Sequence, residues 1–194
     1  MARINRGMNY KHVILLEYAQ RYKLKTFVET GTLAGDVIIA MSNSKQFDSM
    51  YTIEKLHDRY EYALKRLRGK PSVHCIEGSS LTELPKLLTT CSRPAMFFLD
   101  AHYAGRHGAP ARDSTICPLV NELEAIAENH HSRDFILIDD VHYMTYRHQR
   151  GWPTLKEVED KIHTLFPEHL VFVYWNLIRV IPSRDCLETE QNTA

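Results

Sequence analysis

Two short segments concentrate the side chains that could do chemistry: Asp100-Ala101-His102 and Asp139-Asp140-Val141-His142. In each, a histidine stands two residues after an aspartate, and each segment follows an unbroken apolar run, Phe97-Phe98-Leu99 and Phe135-Ile136-Leu137-Ile138. Carboxylates and imidazoles are the groups that hold divalent ions and move protons near neutral pH. Asp100 alone could bond to nearby backbone N–H groups. The adjacent Asp139 and Asp140 are harder to dismiss, because neighbouring like charges call for a cation or strong donors. His142 reads as a second base, a metal ligand or an exposed loop residue.

The elements that must position these groups follow from the apolar runs. A continuous apolar run suits a strand buried on both faces of a parallel sheet, whose carboxyl end opens onto a ligand crevice. Strand-like runs at residues 26–29, 50–54, 73–77, 95–100 and 135–139 each end at or beside a carboxylate and alternate with helical patterns. Tyr60, Leu64 and Leu67 keep a helical stripe, as do Leu119, Leu123 and Ile126, and Leu155, Val158, Ile162 and Leu165. Pro118 and the Pro153-Thr154 pair suit the starts of the last two helices. A further helix is expected over residues 11–22, before the sheet. Residues 170–175 and 177–181 read as an antiparallel hairpin turning near Asn176. Residues 183–194 read as a polar tail, and 104–115 as a loop long enough to be functional.

The turn after the first strand is Glu29-Thr30-Gly31-Thr32-Leu33-Ala34-Gly35. Gly31 and Gly35 allow close backbone approach, and the helix beginning near Asp36 offers free N–H groups to a ligand. The next strand ends at Glu54, about 20 residues on, where an acid can accept the hydroxyls of a ribose. A nucleoside-containing cofactor is the expectation. Gly78-Ser79-Ser80 ends the third strand and could pass beneath an adenine, or simply start a helix with Ser80 as cap.

The chain has 194 residues, 44% of them hydrophobic, enough for one core, so one α/β domain over 1–194 is expected, with residues 1–25 as a helical extension. Lysine plus arginine and aspartate plus glutamate both total 24. That balance argues against a general nucleic-acid partner and favours a small-molecule substrate. The basic residues near Arg59–Lys70, and Arg3, Arg6, Lys11, Arg21, Lys23 and Lys25, read as solvated helix faces. Cys75, Cys91, Cys117 and Cys186 are too widely spaced for a zinc knuckle. With no signal-like or membrane-spanning apolar segment, a soluble cytoplasmic protein is expected.

The order E-T-G-T-x-x-G, T-I-E, E-G-S, F-L-D-A-H-Y and L-I-D-D resembles the class I S-adenosylmethionine-dependent methyltransferases. It is most similar to the metal-dependent small-molecule and sugar O-methyltransferases related to macrocin O-methyltransferase, over residues 26–181. The resemblance implies a Rossmann-like three-layer sandwich with a mostly parallel seven-stranded sheet and a C-terminal antiparallel hairpin. Glu29, Thr30, Gly31 and Thr32, with Gly35, match the cofactor turn; Glu54 matches the ribose ligand, and Gly78 with Ser79 the turn beside adenine. Asp100, which also borders the cofactor, matches a magnesium ligand together with Asp139 and Asp140. In the D-x-D pattern of the sugar enzymes the second acid is the general base, and here His102 holds that place. The implied reaction is methylation of a hydroxyl on a small-molecule or sugar-like acceptor.

Other uses of the same residues stay open. Asp100, His102 and His142 could form a two-histidine, one-carboxylate iron site for an oxygenase on a similar scaffold. A non-catalytic nucleoside-binding module is another reading; a nicotinamide enzyme fits less well, for want of G-x-G-x-x-G spacing. Acceptor recognition is expected in residues 103–115, 142–153 and the first helix, which could also pack across a homo-oligomer.

Overall fold

A computed structural model describes residues 9–102, 117–129, 131–148 and 150–183. The expected loop at 104–115, Cys186 and all of the polar tail but Ser183 lie outside the described residues. Strands β1 (Thr26–Thr30), β2 (Ser49–Glu54), β3 (Val73–Glu77), β4 (Ala95–Leu99) and β5 (Phe135–Ile138) are parallel. β6 (His169–Tyr174) and β7 (Leu177–Pro182) form the antiparallel hairpin. Together they make one seven-stranded sheet of order β3-β2-β1-β4-β5-β7-β6. The expected Rossmann-like sheet, including its reversed last hairpin, is therefore the observed one.

Alternation along the central strands decides the layers. Phe97 and Leu99 of β4, with Ile136 and Ile138 of β5, face the helices α4 (Ser80–Leu88), α5 (Leu119–Glu128) and α6 (Leu155–Leu165). Met96 and Phe98, with Phe135 and Leu137, face α1 (Tyr10–Arg21), α2 (Asp36–Ser44) and α3 (His57–Arg66). Every residue of β4 and β5 is buried, which is why both strands read as unbroken apolar runs. Full burial of a phenylalanine such as Phe97 or Phe98 contributes about 1.5–3 kcal/mol.

Local signals set the helix ends. Thr154 and Glu157 form a reciprocal capping box at α6. At α4 the cap is Ser79, whose side chain accepts from Leu81 N–H, and not Ser80, which lies in the first turn and is buried. α1 starts at Asn9, which caps His12 N–H at 3.1 Å, and it sinks Leu15 and Ala19 into the core beside α2. Among the described residues no helix is long and apolar enough to cross a membrane.

β1 lies between β2 and β4, so the chain winds outward through β2 and β3 and then returns across β1 to start β4. At such a reversal the loops leave in opposite directions and open a crevice at the carboxyl ends of the strands. The glycine turn follows β1 and Asp100 follows β4, on its two sides.

Candidate active site

Gly31 joins the two sides of the crevice. It adopts φ +82°, and a Cβ there would lie 2.4 Å from the Asp100 carbonyl oxygen and 2.9 Å from Ala101 Cα. Only a residue without a side chain lets the β1 turn meet the end of β4 so closely. The turn is tied to β2 by Gly31 N–H donating to Ile53 O at 2.9 Å and Leu33 N–H to Glu54 Oε2 at 2.8 Å. Glu54 is buried, and its other oxygen accepts from Leu56 N–H at 2.9 Å. It thus braces the loops on either side of the crevice floor, and each oxygen keeps a further acceptor position. Gly35 caps α2 in the left-handed conformation, and Gly78 N–H donates to Glu54 O at 2.9 Å, which brings the third turn beside the end of β2.

Beneath this floor lie buried acids. The Glu29 carboxyl accepts from Thr52 Oγ1 at 2.6 Å, and Thr52 in turn meets Thr32 Oγ1 at 2.6 Å. Burial pushes Glu29 up to about 8, against the lowering effect of Thr52. Thr30 is fully buried beside it in sequence, and Glu122 of α5 is buried near Thr30 and Ser80, with burial raising it to about 7. Glu122 was not among the expected site residues, although it stands on the stripe of Leu119, Leu123 and Ile126, where an acid is out of place. Glu29 holds its proton in the folded chain well above its ordinary 4.5, so stability falls as pH rises from about 4.5 to about 8. Glu29→Gln is expected to flatten that fall by on the order of a few kcal/mol, read from urea midpoints at about pH 5 and about pH 8.

The acidic strand ends meet around His102. Its Nε2 lies 2.7 Å from Asp140 Oδ2 and 3.1 Å from Asp100 Oδ1, and its ring packs against Trp152 at 4.4 Å between centroids. Asp100, His102 and Asp140 can each bring a ligand atom within 4.8 Å of the others. Asp139 turns elsewhere: it pairs with Lys11 of α1, while its Oδ1 accepts from Asp140 N–H at 2.7 Å. Lys11 is thus no solvated charge, contrary to the expectation from its basic surroundings, because the first turn of α1 reaches the carboxyl end of β5 while its far end packs Tyr18 and Tyr22 against Phe135. His142 bonds through Nδ1 to Asn176 Oδ1 at 2.8 Å, and Asn176 Nδ2 donates to Asp140 Oδ1 at 3.0 Å. His142 Nδ1 is also 3.7 Å from Asp140 Oδ1, so His142 flanks the Asp100–His102–Asp140 group without joining it. Trp152 is buried and meets Tyr143 at 5.2 Å, so both wall the group from the core side.

Electrostatics follow from this crowding. Burial raises Asp100, and the neighbouring Asp139 and Asp140 raise it further. Burial also raises Asp139, against Lys11. For Asp140 burial is outweighed by the hydrogen bond and charge of His102, with Lys11 and His142, and its carboxyl stays below the usual range. Burial pulls Lys11 down, but Asp139 and the other two aspartates leave it raised.

The chain matches no protein-family profile and no curated protein sequence. Solved structures do resemble it. An O-methyltransferase from Bacillus cereus in complex with SAH aligns with TM-score 0.66 and 15% identity, over 91% of this chain and 82% of that one. An SAH-bound methyltransferase from Podospora anserina gives 0.62 and 15%, over 91% and 80%. An O-methyltransferase from Streptomyces achromogenes involved in tomaymycin synthesis, in complex with SAM, gives 0.59 and 16%, over 89% and 79%. With the strand order, these likenesses show that the chain shares the fold of these methyltransferases.

Proposed function

We propose that the chain transfers a methyl group from S-adenosylmethionine to a hydroxyl of a small-molecule acceptor. The observation that carries this reading is the junction of Gly31 with Asp100, which sets a backbone-lined turn directly beside a carboxylate–imidazole group. S-adenosylmethionine bound there would supply an electrophilic methyl on a cationic leaving group. Gly31, Thr32, Gly35 and Glu54 would hold it along the first turn, with Gly78 and Ser79 at the far end. Glu29 and Thr30 would act from below, since their side chains are buried.

A divalent ion fits the donor set. With every aspartate ionised, Asp100, Asp139 and Asp140 face one lysine among the described residues, which leaves the cluster short of positive charge there. The oxygen donors suit magnesium, held by Asp100 and Asp140 with Asp139 behind them. Such an ion would supply charge to bind and acidify the acceptor hydroxyl. The chain's own contribution is the base. In its neutral form, with Nε2–H donating between Asp140 and Asp100, His102 would keep Nδ1 to accept the hydroxyl proton, and Trp152 packs against the ring. Lys11 holds Asp139 and pins α1 over the site.

A two-histidine iron site would need a His142 nitrogen brought among the Asp100, His102 and Asp140 ligand atoms, and His142 does not belong to that group, which favours methyl transfer over oxygenation. The domain is read as one methyltransferase unit over 1–194, cytoplasmic, acting on a small acceptor without a nucleic-acid partner. Calorimetry with S-adenosylhomocysteine, with and without magnesium, tests the reading at its root. Saturable binding is expected, and its absence under both conditions removes the proposal.

A further inference from the structure

We propose that the hollow between the β6–β7 hairpin tip and the short 3-10 helix Val141–Met144 is the acceptor subsite, and that it selects an aromatic acceptor carrying an anionic group. This rests on the methyltransferase reading above. The hollow measures about 360 Å³, and its lining includes His142, Thr145, Tyr146, Arg147, Trp175 and Asn176. That volume is in the range of small-ligand sites. Its inner end adjoins the candidate catalytic group, because Asn176 Nδ2 donates to Asp140 Oδ1 at 3.0 Å.

The walls are aromatic and open. The Tyr146 side chain sits in a residue 80% exposed, and Trp175 is 61% exposed, so both offer faces that a planar ligand would bury. Trp175 also occupies the first position of a two-residue hairpin turn with φ +56°, where glycine, asparagine or aspartate is the ordinary choice. A bulky residue there costs about 1–2 kcal/mol of backbone preference. Its ring is held by two neighbours, Tyr10 edge-on at 5.1 Å and Tyr174 stacked at 5.4 Å. A strained position, a fixed orientation and an exposed face together mark a ring kept for a contact.

The polar lining decides between a sugar and an aromatic ligand. Both ends of the Asn176 amide are engaged, Thr145 Oγ1 donates to Val141 O at 3.1 Å, and His142 Nδ1 is committed to Asn176. The Tyr146 hydroxyl, the second His142 nitrogen and the Arg147 guanidinium remain, fewer partners than a polyhydroxylated ring would ask for, and each unpaired hydroxyl would carry a cost. Flat aromatic faces ask for no such partners from an aryl ring. Arg147 is the one lysine or arginine among the described lining residues, and its guanidinium lies over the Tyr146 ring at 5.8 Å. An anionic group would be repelled by Asp100, Asp139 and Asp140 and drawn to Arg147. That polarity aims the other end of the acceptor, with its hydroxyl, toward His102.

The test uses 4-hydroxyphenylacetate and its uncharged analogue 4-hydroxyphenylacetamide, titrated with and without S-adenosylhomocysteine and magnesium. Tryptophan fluorescence reports the subsite, since of the two tryptophans Trp152 is buried and Trp175 is exposed. Calorimetry gives the affinities. The acetate is expected to bind roughly tenfold more tightly than the amide. Arg147→Gln should erase that preference without changing S-adenosylhomocysteine affinity, and Trp175→Ala should weaken both probes. Equal affinities for the two probes, binding of neither, or a preference that survives R147Q would overturn the proposal. A protein that shows the preference but binds no S-adenosylhomocysteine keeps the subsite and loses the methyltransferase reading.

Discussion

Gly31→Ala is expected to lower the unfolding free energy by about 2–5 kcal/mol and to abolish S-adenosylhomocysteine binding. Two costs add. A residue with a side chain at φ +82° is in the left-handed region, and its Cβ would stand 2.4 Å from the Asp100 carbonyl oxygen and 2.7 Å from the carbonyl carbon. Those are backbone atoms at the end of a fully buried strand, so they cannot swing aside as a flexible side chain would. The strain can be relieved only by parting the ends of β1 and β4, which opens the crevice between them. Guanidinium unfolding midpoints and calorimetry measure the two effects. An alanine variant of native stability and native affinity would show that the close approach is not needed. Gly35→Ala is the useful comparison, because a Cβ there meets nothing nearer than 3.7 Å and only the backbone conformation is penalised.

His102→Ala is expected to reduce turnover by roughly 10²–10⁴-fold, measured as S-adenosylhomocysteine formed once an acceptor is in hand. Cofactor affinity should change by less than about threefold. The geometry supports a base oriented by carboxylates: Nε2 sits between Asp140 at 2.7 Å and Asp100 at 3.1 Å, and a neutral ring that donates there has Nδ1 as its acceptor. A magnesium titration of the same variant separates this role from ion binding. If His102 moves the proton, the ion still binds; if His102 holds the ion, affinity falls together with turnover. His102→Gln gives a polar control, since it keeps a donor for Asp140 but cannot take up a proton. Activity near the wild-type level in both variants would remove His102 from the mechanism.

Much of the architecture was legible because the relevant signals are local. Buried parallel strands need apolar side chains on both faces, so β4 and β5 announce themselves as runs, and the acids that follow them mark the carboxyl edge. The glycine turn and Glu54 are likewise visible as spacing. Other members of the site carry no such signal. Lys11 is separated by 128 residues from Asp139 and sits among other basic residues, so nothing local distinguishes it from a surface lysine. Asn176 looks like an ordinary hairpin residue, yet it links His142 to Asp140. Glu122 was visible as an acid on an apolar stripe, but only the packing of α5 on α4 shows that Thr30 and Ser80 lie near it.

The sequence by itself determined the kinds of element, their succession along the chain, and the chemical character of the strand ends, because hydrophobic period and turn residues act over a few positions; the order of strands within the sheet came from the resemblance. It did not determine how the acids divide their partners. Asp100 and Asp140 share His102 while Asp139 takes Lys11, and that division depends on where α1 docks and on the left-handed turn at Asp140, φ +61°. Those arrangements come from packing between elements far apart in the chain, where distances of a few ångströms set the Coulomb energies and no local pattern records them.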